Sequence, residues 1–130
     1  MSYQDRVAAW ISECFAPDVG ADTSERSHRF LEEALELVQA GGCTKEDVVA
    51  MVDYVYDRPI GELEQEAGGV MVTLAALCSA LKISMDAAGE KELQRNWRRI
   101  DAIRAKRATK PAGSPLPQPV RFGPHVTSAD

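Results

Sequence analysis

The sequence has few of the residues that usually announce a specific chemistry. Three cysteines among 130 residues, at Cys14, Cys43 and Cys78, form an odd set without a CxxC spacing, so neither a disulfide framework nor a structural zinc site is expected. The reducing cytoplasm is the compartment this suggests. There is no GxxxxGK[ST], GxSxG or HExxH segment, which removes the sequence basis for a P-loop NTPase, a serine hydrolase or a zinc protease. The first residues lack the basic-then-apolar layout of a signal peptide. The longest apolar stretch, Val70 to Leu81, is interrupted by Thr73 and Ser79 and falls short of the about 20 residues a bilayer crossing needs, so no membrane role is expected. No segment alternates β-branched and polar residues as a half-buried strand does, and no internal repeat is visible.

What is present is helical periodicity and an uneven distribution of charge. The formal net charge is -5, but residues 1–89 carry 16 acidic and 6 basic side chains (net -10), whereas residues 90–130 carry 4 acidic and 9 basic ones (net +5). The acidic bulk argues against a nucleic-acid binder, although a basic helix remains available to meet phosphates.

Val7, Trp10, Ile11, Cys14 and Phe15 recur at helical spacing and predict a first helix over about Tyr3 to Phe15, ending before Pro17 and Gly20. A second helix is expected to begin near Asp22, where Asp22 and Glu25 have the spacing of a capping box, and to stop at Gly41-Gly42. Thr44 opens a third, which closes at Asp57-Arg58-Pro59. A fourth runs from about Gly61 to Leu81 and is apolar on nearly every face from Val70 onward, a pattern suited to the centre of a bundle or to a subunit interface. Ser84 starts a fifth, basic on its outer side, through Trp97 and Ile100 to about Arg107. The expected fold is all-α, a four- to five-helix bundle over residues 1–110, assembled into a homodimer or homotetramer, followed by an extended or disordered Pro-rich tail over 111–130.

Two acidic groups stand out. On the second helix, Glu33 and Glu36 are three apart and Glu32 and Glu36 four apart, so carboxylates project together from one surface. Like charges so placed either form a solvated face, with Arg29 pairing to Glu33, or hold a hard cation such as Mg²⁺. The second group, Glu62, Glu64 and Glu66, sits where the apolar fourth helix begins, and Glu62 and Glu66 share a face there. Bundles build metal sites from carboxylates on two facing helices.

Glu32-Glu33-x-x-Glu36, followed after a helical hairpin by Glu66 leading into an apolar helix, resembles the MazG-like all-α nucleoside triphosphate pyrophosphohydrolases over roughly residues 24–100. The resemblance implies Mg²⁺-dependent cleavage of a nucleoside triphosphate, or a modified analogue, to the monophosphate and pyrophosphate, in dimers or tetramers with sites near subunit contacts. It implies Glu33, Glu36 and Glu66 as metal ligands, and Glu32 as a further ligand or as the base that activates water. Lys91, Arg95, Asn96 and Arg99 correspond to the family's phosphate-facing residues, with Lys91 also placed to stabilise charge on the leaving pyrophosphate. One position departs from the pattern: Gly69 stands where the family has an Asp ligand. Glu62 is the candidate replacement, ahead of Asp53 and Asp57. Gly68-Gly69 in a helix serves either close packing or room for water, metal or phosphate.

Other residues have plainer readings. His28 lies one turn before Glu32 and suits pairing with a carboxylate, Trp10 belongs to the core face of its helix, Trp97 offers a stacking surface, and Met51, Met71 and Met85 are packing residues. The rival to an enzyme is a relative without chemistry, acting as a nucleotide sensor or an oligomeric scaffold, which Gly69 favours.

Overall fold

A computed structural model describes residues 1–108, in which all regular structure is helical: α1 (Tyr3–Cys14), α2 (Pro17–Gly20), α3 (Thr23–Ala40), α4 (Lys45–Tyr56), α5 (Leu63–Leu81), α6 (Met85–Arg98) and α7 (Ile100–Ala108). The expected tail lies outside the described residues. Among these, no single helix is long and apolar enough to cross a membrane.

Short-range chemistry sets the helix starts. Asp22 accepts from the Glu25 N–H, Thr44 from Asp47 and Ser84 from Ala87, each satisfying a donor that the first helical turn leaves open. At α1 a full capping box joins Ser2 and Asp5. Pro17 opens α2 at a position where its missing N–H costs nothing, so the segment after α1 is a short helix instead of a plain loop. Gly20 at its end lets α2 sit on α1, since a Cβ there would stand 2.9 Å from Ile11 Cγ2.

Two boundaries differ from the sequence reading. The fifth expected helix is two: Arg99 leaves helical geometry (φ -114°, ψ 21°), its N–H bonds Asn96 O, and the chain re-enters a helix at Ile100. The fourth begins at Leu63, because Glu62 is its N-cap and not its first turn.

α1 packs against both α6 and α7, α2 links α1 to α3, and α5 lies against α6. Among the described residues, Cys14, Cys78 and Leu93 are the buried apolar ones. Tyr3 Oη donates to Gly89 O at 2.7 Å, tying the start of α1 to α6. Arg104 donates to Cys14 O at 2.8 Å and to Glu13 O, supplying α7 side-chain donors to the open carbonyls at the end of α1. Glu25 is only 3% exposed; its carboxylate takes Arg107 at 3.0 Å and Arg26 at 3.3 Å, so the expected Asp22–Glu25 box is used in one direction and the Glu25 side chain joins α3 to α7.

α4 has no extensive interface with another helix, and every residue from Val49 to Thr73 is exposed. Among the described residues, the apolar surface of α5 that suggested a bundle centre is therefore covered only in its second half, where Cys78 is buried and the helix lies against α6.

Candidate functional site

α3 and the α6–α7 pair enclose an open cleft of about 380 Å³. From α3 it receives Arg29, Glu33 and Glu36; from α6, Glu92, Arg95 and Asn96; the rim carries Arg99 at the helix break and Lys106 of α7. Positions 92, 95 and 96 are spaced by three and four, which puts them on one side of α6, and Arg99 follows just past its end.

Five of the residues singled out in the sequence thus meet: Glu33, Glu36, Arg95, Asn96 and Arg99. Glu32 pairs instead with Arg29 at 3.7 Å, the i,i+3 partner where Glu33 was expected at i,i+4. Lys91 does not line the cleft, being one position off its face. Glu92 lines the cleft and was missed. Its signal was available, since it shares the register of Arg95 and Asn96. Arg95 bonds it at 3.0 Å. Lys106 of α7 also lines the cleft, while Arg104 caps α1.

Charge and local dehydration act together on Glu33. It stays exposed, yet the cleft walls remove enough water to raise its pKa above the ordinary carboxylate value, and Glu36, Glu32 and Glu92 add repulsion that Arg29 opposes.

The second acidic group lies elsewhere. Glu62 spends both carboxylate oxygens on the N–H groups of Glu64 and Gln65 at 2.9 Å, and those bonds lower its pKa. Glu66 folds over Gly61, where any Cβ would collide with its carboxylate, and lines a depression with Val55, Tyr56 and Arg58 to which α3 contributes nothing. Gly68 and Gly69 face open space: a Cβ at either would meet nothing within 4 Å. Among the described residues no three Asp, Glu, His or Cys side chains are gathered closely enough to hold a metal ion.

No family model, curated protein or solved structure matches the chain.

Proposed function

We propose that the α3–α6 cleft binds the phosphates of a nucleoside triphosphate and that the chain is a pyrophosphohydrolase, working as a homo-oligomer whose subunits complete a helical bundle. The observation that supports this reading is the convergence of Arg29, Arg95, Arg99 and Lys106 with Glu33 and Glu36 in one small cleft. Guanidinium groups match phosphate oxygens in a planar, two-pronged geometry, and several together offset a triphosphate's charge. Asn96 adds a neutral donor and acceptor. Glu33, with its raised pKa, is suited to take a proton from a water molecule. The water oxygen bonds to the α-phosphorus, the bond to the bridging oxygen breaks, and pyrophosphate leaves toward the arginines. Glu33 and Glu36 are the carboxylates that would hold Mg²⁺, the metal the resemblance implies, with water completing its coordination.

Pyrophosphate release from a panel of nucleoside triphosphates with Mg²⁺, compared between wild type and Glu36→Gln, tests the reading. Release by wild type on at least one nucleotide, lost in the variant, supports it. No release from any nucleotide overturns the enzyme. The alternative, a nucleotide sensor or scaffold without turnover, draws on Gly69, which stands where the resembled family has an Asp ligand. Calorimetry with a nonhydrolysable triphosphate separates these two, because a sensor binds it and a scaffold does not.

A further inference from the structure

We propose that the groove between α3 and α4 is the seat of the nucleobase, entered from the cleft past Glu36 and read at its edge by Gln39 and Lys45. Its occupant follows from the cleft's own binding of a triphosphate, on which this placement rests. Helical spacing builds the groove. Leu35 and Gln39 are four apart on α3, Val48 and Val49 come from the first turns of α4, and with Lys45 they enclose a mostly apolar space of about 340 Å³. Leu35 is 39% and Val49 51% exposed, so apolar surface stands in solvent on the groove walls, where a flat heteroaromatic ring would cover it.

The order of charges sets the direction of the ligand. Glu92 of α6 lies near enough to Glu33 to repel it, while Arg107 of α7 is joined to Glu25 in the first turn of α3. The α6–α7 pair therefore runs opposite to α3, with carboxylates at one end of the cleft and the cations of α7 at the other. Hydrolysis to pyrophosphate needs the α-phosphorus beside Glu33 and Glu36 and the two departing phosphates beside Arg95, Arg99 and Lys106. The sugar then points past Glu36, the residue that lines both the cleft and the groove. From Arg29 to Gln39 the axis of α3 advances about 15 Å, the scale of an extended nucleoside triphosphate.

The cleft has another apolar neighbour at its cationic end, a space of about 400 Å³ between α1 and α2 that shares Phe15 with it. The guanidinium groups of Arg26 and Arg107 already lie over the Phe15 ring, at 5.4 and 5.9 Å, and Ser12 brings the one polar side chain among the described residues there. That end suits the leaving pyrophosphate and offers little to a base. In the α3–α4 groove Gln39 presents an amide donor and acceptor side by side, the pair that matches a base edge, and Lys45 adds a cationic donor for a ring nitrogen or carbonyl. Among the described residues neither side chain is taken up by a hydrogen bond or an ion pair.

Cys43 lines the same groove and is exposed, whereas Cys14 and Cys78 are buried, so the native chain carries its own reporter. Alkylation of Cys43 by iodoacetamide, followed by mass spectrometry, should slow about tenfold when an α,β-methylene nucleoside triphosphate of at least one base is present at about ten times its calorimetric Kd, the factor by which binding depletes the open groove. Inorganic tripolyphosphate, at the same multiple of its own Kd, should leave the rate unchanged because it ends at Glu36. Gln39→Ala should weaken binding of the protecting nucleotide about tenfold and leave tripolyphosphate binding as it is. Nucleotide binding without protection, equal protection by tripolyphosphate, tripolyphosphate binding alone, or a Cys43 that is unreactive in the unliganded chain overturns the base seat and leaves the phosphate cleft standing. An unchanged nucleotide affinity in Gln39→Ala overturns its role at the base edge. A chain that binds neither ligand refutes the cleft, and the seat with it.

Discussion

The Arg107 guanidinium reaches back 82 residues to hold both carboxylate oxygens of Glu25, at 3.2 Å from Nε and 3.0 Å from Nη2. The pair joins α7 to the first turn of α3 and so keeps the two sides of the cleft together. Burial favours the pair only while it is complete, since a carboxylate left alone in a dry place retains its desolvation cost.

Arg107→Ala should therefore destabilise the fold by about 2 kcal/mol, within the range for a charged hydrogen bond, with Arg26 limiting the loss. Urea unfolding measures it. Arg107→Ala combined with Glu25→Leu should recover part of that loss. An Arg107→Ala chain as stable as wild type would show that the pair does not hold α7.

Glu33 should act against stability at neutral pH. Its folded pKa lies above the unfolded value, so the folded state binds the proton more tightly and the cost of its charge fades as pH falls through the folded pKa. Glu33→Gln should stabilise the protein at pH 7 by a few tenths of a kcal/mol for each like-charged neighbour relieved, and the gain should vanish in acid. Melting curves of both proteins across pH show whether the difference has this sign.

Glu62 should show the opposite sign. Its folded pKa is lowered by the N–H groups of Glu64 and Gln65, so its contribution is present above the unfolded pKa and is lost as pH falls through the folded one. Glu62→Ala should lower the melting temperature at pH 7 but hardly at all in strong acid. Glu62→Ser, which still caps, should retain most of the stability and, if Glu62 is a cap and not a ligand, the pyrophosphate release as well.

Gly69 has room for a side chain, three residues after Glu66. Gly69→Asp places a second carboxylate on the Glu66 face and should tighten Mn²⁺ binding by about tenfold, or ~1.4 kcal/mol, in calorimetry. Unchanged affinity would show that this face of α5 does not reach the cation.

Much of the helical layout is visible in the sequence because its causes lie within four residues. Asp22, Thr44 and Ser84 are caps that need only the next turn, and Glu33 and Glu36 share a face by helical spacing alone. The same locality explains what the sequence leaves open. Glu62 has the spacing of a partner for Glu66, but spacing does not reveal that a cap lies outside the helix. Glu92 has the register of Arg95 and Asn96, but that register marks a cleft only once α6 stands opposite α3.

The sequence alone therefore determined that this chain is helical, where most helices begin, and which charges are neighbours on each, since periodicity and capping are short-range. Only the tertiary structure decided that the helix after Ser84 breaks at Arg99, that Glu25 meets Arg107, that Glu33 and Glu36 face arginines, and that Glu66 turns away from them. Those outcomes depend on how distant surfaces pack, and among the described residues the apolar side chains along α4 and the first half of α5 remain exposed.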